Sequence, residues 1–328
     1  MGKIRIGHIG TLHDHSAGIL PCVRKYPEIF EVVGVVPESR ERWDEIKEMP
    51  AYAGLEAMSE DELFQKGIEA ALIEGHEFSL VPAAQRCIDR GIHVHMDKPA
   101  GADLDAFESL LASAKEKKLV VHLGYMYRYN PSVQEALRRK KEGDFGEIYE
   151  VDAVMNTWHD PEKRAWLGQF PGGIMFFLGC HMIDLIYLFQ GKPKKVIPFL
   201  KSTGFDGVDS IDHAVALLEY EKGVSVARAT STEINGYGRR QLVICGEKAT
   251  WEIEPLESPT RTFFSERATA DPYADSRVEL DFSTKKRYDS MMLHFAQCIR
   301  GEIKNEFDYD YELEVHRLIL EACGQNLK

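Results

Sequence analysis

The chain has 328 residues, 44% hydrophobic and 10% aromatic, which suffices for two domains with separate cores. Its formal charge of −13 argues against a nucleic-acid backbone or an anionic membrane surface as partner. No apolar run is long enough to span a bilayer, and MGKIRIGHIG reads as a strand rather than a signal peptide. Six scattered cysteines without a CxxC pair, among them Cys22, Cys87, Cys180 and Cys298 in apolar segments, read as reduced core residues of a cytoplasmic protein.

In chain order, Lys3 to Ile9 alternates as a strand and Ser16 to Lys25 reads as a helix containing one proline. EVVGVV, Glu31 to Val36, is a second strand, followed by a short charged helix from Ser39 to Lys47. The strand Ala70 to Ile73 leads into a helix from Leu80 to Arg90, stopped by Gly91. Next comes GIHVHMDKP, read as a short buried strand ending on Lys98, with Pro99 holding the lysine backbone extended. A helix from Asp103 to Lys118, with Asp103 as N-cap, precedes a last strand, Leu119 to Leu123. Strands alternating with helices predict a doubly wound parallel sheet, with ligands bound at the carboxyl ends of its strands.

The first strand–helix turn, IGHIGTLHDHSAG, departs from the G-x-G-x-x-G fingerprint of dinucleotide binding. With Gly10 as the first glycine, Leu12 and His15 stand where the second and third belong. After the second strand, Glu38 stands one residue beyond the place of an acidic ribose ligand, with Arg40 nearby. Further on, the apolar helix Gly173 to Phe189 carries only His181 and Asp184 as ionisable groups, three apart on one face. They read either as a buried pair satisfying each other or as a site in which His181 accepts a proton near neutrality. Beyond Lys195 the segments HAVALLEY, VSVARATST, RRQLVICG and ATWEIEP alternate between glycine-containing turns, which predicts an antiparallel sheet. The helix Tyr288 to Arg300 and the segment Tyr311 to Cys323 close the chain.

These landmarks, together with AAQRCIDRGIHVHMDKP, GYMYRYNP, GDFGEIYEV, GGIMFFLGCHMIDLIYLFQGKP and HFAQCIRGE, resemble the glucose–fructose oxidoreductase/inositol dehydrogenase (Gfo/Idh/MocA) family over most of the chain. The resemblance implies a Rossmann domain over 1–124 and an α+β domain with a large, mostly antiparallel sheet over 125–328, the C-terminal helix being allowed to pack back on the first. It implies a homodimer or homotetramer built through that second sheet. It also implies hydride transfer between NAD (NADP being second choice) and a carbinol of a sugar, cyclitol or polyol. Lys98 and His181 are the expected catalytic pair. Gly10, Thr11, Leu12, His13, Glu38, Arg40, Glu74, His76, Asp97 and Lys98 are the expected cofactor residues.

Tyr127, Arg128, Asn156, Trp158, His159 and Asp184 combine aromatic faces with polar donors and are the expected substrate residues, with Tyr125, Tyr129, Asn130 and Arg164 close in sequence. Two departures from the family pattern stand out. Asp97 replaces the glutamate of Glu-Lys-Pro, and Phe177 stands where the family has an aspartate four residues before His181. Two alternatives stay open. His13 with His15, His93 with His95, and Glu74 with His76 suit a metal-dependent hydrolase or isomerase, although no metal ligand is assigned. Leu12, His15 and Phe177 together suit a sugar or nucleotide sensor that has lost its chemistry.

Overall fold

The computed structural model describes residues 2–257, 260–266, 276–282 and 288–327. The chain divides into two compact units, one of residues 1–126 and 286–313, the other of 127–285 and 314–328.

The first unit is built on β1 (Ile4–Ile9), α1 (Ser16–Arg24), β2 (Phe30–Val36), α2 (Arg40–Ile46), α3 (Glu60–Gln65), β3 (Ala70–Ile73), α4 (Leu80–Asp89), β4 (His93–Met96), α5 (Leu104–Lys117) and β5 (Val121–Leu123). Its strands pair in parallel in the order β2-β1-β3-β4-β5. A single parallel bridge, Val35 to Ala57, continues the sheet beyond β2. Counting that bridge as a vestigial strand gives the doubly wound 3-2-1-4-5-6 order, whose direction reverses between β1 and β3. Branched and small residues make β3 wholly buried, as a parallel strand covered on both faces must be. Asp103 caps α5 by accepting from the Ala106 N–H at 3.0 Å.

The second unit contains α6 (Pro131–Glu142), β6 (Ile148–Asn156), α7 (Pro161–Leu167) and α8 (Cys180–Gln190). Its other strands are β7 (Lys195–Lys201), β8 (His213–Glu219), β9 (Val224–Thr230), β10 (Gln241–Gly246), β11 (Ala249–Ile253), β12 (Thr262–Glu266) and β13 (Val278–Leu280). The eight strands run β13-β12-β11-β10-β6-β9-β8-β7, and all pair antiparallel except β6 with β9. In β8 to β11 alternate residues are buried while those between are half-buried, so one face packs on α8 and the other stays open. α9 (Asp289–Ile299) packs on α1, and α10 (Tyr309–Ala322) closes the chain.

Three expectations need correction. The strand before the lysine ends at Met96, because Asp97 turns its carboxylate onto the Lys98 N–H at 2.6 Å in place of a ladder partner. The Lys98–Pro99 bond is cis, so the chain bends there rather than running straight. The long helix after Gly173 begins as a π-helical turn, Met175–Gly179, before α8. A Cβ at Gly179 would meet Met175 Sδ at 2.4 Å, so the glycine lets that side chain pack against the turn.

Candidate active site

The carboxyl ends of β1, β2 and β3 surround a cavity of about 450 Å³ lined by Gly10, Pro37, Glu38, Gly75, Phe78 and Arg86 among others. This is the crevice at the strand-order reversal, where doubly wound sheets bind their ligands. Gly10 has φ +87°, and a Cβ there would lie 2.3 Å from the Gly75 nitrogen, so only glycine fits this turn. Glu38 reaches into the turn itself. Its carboxylate accepts from the Thr11 N–H at 2.8 Å, the Thr11 hydroxyl at 2.6 Å and the Leu12 N–H at 3.2 Å. Leu12 is 47% exposed.

Arg42, which sequence reasoning missed, donates to the Thr11 carbonyl at 3.0 Å. Arg40 lies outside this group, exposed and 3.5 Å from Asp44. His76 accepts from the Phe78 N–H at 3.3 Å at the edge of the cavity. The glycine turn and the cavity at the strand-order reversal suit a dinucleotide, while the Glu38 carboxylate is engaged by the turn itself.

Beneath this turn lies a dry cluster. Lys98 is 1% exposed and lies inside the protein. Its N–H is held by Asp97 Oδ1, and its carbonyl lies 3.2 Å from His13 Nε2. Asp97 Oδ2 lies 3.1 Å from His13 Nδ1 and 3.0 Å from His15 Nδ1. Burial opposes the charge on Asp97, but His13 and His15 overcome it and hold the carboxyl well below the usual range. Glu74, fully buried, goes the other way: desolvation and then the charge of Asp97 push it well above the ordinary value. Burial brings the His15 pKa down to about 4 despite Asp97, so its ring is neutral at pH 7. Glu77, also missed from sequence, lies 3.8 Å from His13 Nε2.

The expected substrate residues of the second unit are gathered by other partners. Arg128 and Asp184, each 1% exposed, bind each other through Nη2 at 2.6 Å and Nε at 2.9 Å. The buried guanidinium supplies Asp184 with the two donors a carboxylate takes best. His181 is 2% exposed and meets the Tyr127 ring edge-on at 4.9 Å. The Tyr127 hydroxyl donates to Glu257, which also accepts from Tyr237 at 2.7 Å and Arg240 at 2.5 Å.

Asn156 donates to Glu233, and its carbonyl accepts from Arg240 at 3.1 Å. Trp158 is 59% exposed and bridges to Thr232, while the His159 N–H donates to the Ser231 carbonyl at 2.9 Å. Phe177 sits in an aromatic group with Trp166 and Phe170, which leaves no carboxylate where the family pattern has one. Glu257, Tyr237 and Arg240 had no sequence signal, since their meeting depends on sheet pairing.

Residues 1–125 match the model of an oxidoreductase family with an NAD-binding Rossmann fold, and residues 133–252 match the GFO/IDH/MocA C-terminal domain. The chain is 25% identical over 285 residues to scyllo-inositol 2-dehydrogenase (NAD(+)) of Bacillus subtilis, covering 80% of this chain and 78% of that one. It is 24% identical to D-xylose 1-dehydrogenase (NADP(+)) 2 of Haloferax volcanii, over 69% and 68% of the two chains. The solved UDP-N-acetylglucosamine 3-dehydrogenase of Acidithiobacillus ferrooxidans superposes with a TM-score of 0.80 at 21% identity, over 98% of this chain and 97% of that one.

Proposed function

The chain belongs to the Gfo/Idh/MocA family of NAD(P)-dependent oxidoreductases, and from that premise we propose that it moves a hydride between NAD and a carbinol of a sugar, cyclitol or related polyol. The bound nicotinamide supplies the hydride chemistry. Lys98 is the residue that holds and transfers the proton at the substrate oxygen. Its burial, on a backbone held from both sides by Asp97 and His13, supports this assignment, because an ammonium in a buried site is worth most when an oxygen becomes negative. His181, buried beside Tyr127, is assigned as the proton acceptor.

The similar inositol, xylose and UDP-sugar dehydrogenases support the substrate class, and both NAD and NADP occur among their cofactors. NAD is preferred here because the Glu38 carboxylate just beyond β2 would repel a 2′-phosphate, while Arg40 pairs with Asp44. The protein acts in the cytoplasm as a homodimer or homotetramer. The open face of the second sheet, with Val215, Leu217 and Val243 half-buried, suits a subunit interface. Among the described residues no helix is long and apolar enough to cross a membrane.

Equilibrium binding of NAD(H) and NADP(H), followed by turnover on inositols, pentoses and UDP-sugars, tests the reading. Tighter NAD binding and reduction of NAD by at least one of these substrates are expected. Tighter NADP binding would overturn the cofactor preference. Dinucleotide binding without turnover on any polyol would favour the sensor, and no dinucleotide binding at all would overturn the oxidoreductase reading.

A further inference from the structure

His13 and His15 alternate after β1, and both bring Nδ1 to the same oxygen of Asp97, 3.1 Å and 3.0 Å away. The three donor atoms all lie within 4.8 Å of one another. The His13 ring is fixed from behind. Its Nε2 faces the Lys98 carbonyl, which can only accept, so the ring proton belongs on Nε2. Its Nδ1 lies 3.2 Å from the His15 backbone nitrogen and faces Asp97 Oδ2 across 3.1 Å, a contact held by a proton in the metal-free protein and open to a metal cation in its place.

We propose that His13, His15 and Asp97 form a binding site for a divalent transition-metal ion of the zinc or manganese class. Ligand atoms about 2.1 Å from one ion lie about 3.0 Å apart at a right angle and about 3.4 Å apart in a tetrahedron, so the two spacings to Asp97, 3.1 and 3.0 Å, are those of a shared ion. Two imidazoles and a carboxylate are a donor set these metals accept. The supporting contacts are those of a metal site. A ligating histidine commonly donates its other ring N–H to a carbonyl, as His13 does to Lys98, and a ligating carboxylate is itself hydrogen-bonded, as Asp97 is by the Lys98 N–H.

Glu74 supplies an independent observation. It is 0% exposed, it lies against Asp97, and neither of its oxygens makes a hydrogen bond of ordinary geometry. A buried carboxyl with no such bond is a place where a neighbouring cation would be favoured. The charge of Lys98 opposes the ion, and the carboxylate of Asp97 offsets it. The ion would tie the β1–α1 turn to the end of β4, a linkage that goes beyond dinucleotide binding and does not depend on it.

Elemental analysis of the purified protein, then calorimetric titration of chelator-treated protein with ZnCl2, MnCl2 and CoCl2 in turn, tests the site. About one ion per chain is expected, with visible absorption from bound cobalt reporting nitrogen ligands. His15→Ala should weaken binding at least tenfold, the scale lost when even a supporting contact of a metal site is removed. His93→Ala, a histidine outside the cluster, should leave binding unchanged. No uptake of any of the three ions by the wild type would overturn the proposal, as would equal uptake by wild type and His15→Ala. His13→Gln should repeat the loss; if that variant does not fold, the wild-type titration and His15→Ala still decide.

Discussion

Two groups of buried charge in this molecule follow opposite rules. Among the described residues, the most deeply buried acids of the second unit each have a base: Asp184 with Arg128, Glu257 with Arg240 and two tyrosines, Asp212 with Arg164 at 3.3 Å. In the first unit two acids lie side by side and are driven apart, Asp97 downward by two histidines and Glu74 upward by burial and by Asp97. Matched ion pairs hold backbone segments in place, and removing one partner leaves a buried charge uncompensated. Neighbouring groups with opposed pKa shifts hold protons ready to move, and they mark where chemistry is done. The difference separates a polar framework, where arginines and tyrosines pair the acids, from the proposed reactive site, where histidines do.

The largest test of that contrast is in the framework. Asp184→Ala should cost about 3–5 kcal/mol in urea unfolding, because Arg128 is left buried without its partner. Arg128→Met combined with Asp184→Leu should recover most of it. A loss below about 1 kcal/mol, the scale of an exposed pair, would erase the distinction.

An intermediate effect comes from His8, whose ring is buried against Ser16 and whose pKa burial lowers to about 3. The unfolded chain takes up this proton near pH 6.5 and the folded chain does not. Stability should therefore fall as pH drops from about 6.5 toward 3, by up to about 1.4 kcal/mol per pH unit from this residue. Unfolding curves of wild type and His8→Asn across that window should diverge from parallel by that slope. Parallel curves would mean that His8 charges in the folded state.

The smallest effect is expected at Glu74, in contrast to Asp184. In metal-free protein its carboxyl already holds its proton, so Glu74→Gln should change stability little near pH 5. Above the ordinary carboxylate pKa the unfolded chain ionises first, so wild type loses stability as pH rises and the glutamine variant should gain relative to it. A loss matching that of Asp184→Ala would place Glu74 in the framework instead.

The sequence made the first sheet readable because its strands are short, apolar and bounded by caps. AALI at Ala70–Ile73 and the Asp103 cap came out as expected. Helices α3, α6 and α7 were passed over although each carries its start signal: the Ser59–Glu62 capping box, Asn130-Pro131 and Asp160-Pro161. The parallel pairing of β6 with β9 was not legible, since register among alternating strands is fixed by tertiary contact. At the site, Lys98, Asp97 and His13 stood out by type and position. The capture of the Thr11 and Leu12 amides by Glu38, and the pairing of Arg128 with Asp184 across 56 positions, did not, because no local spacing encodes them.

Replacing Lys98 tests the reactive site most directly. Lys98→Met keeps the side-chain length and its backbone clamp while removing the charge. Asp97 still has His13 and His15 beside it, so circular dichroism and NAD affinity should change little. Turnover of a confirmed polyol substrate should fall by roughly two orders of magnitude or more with a smaller change in KM, as expected of a group that acts on the developing alkoxide. A folded Lys98→Met variant that turns over substrate at near wild-type rate would contradict the assignment of Lys98 and the hydride-transfer mechanism built on it.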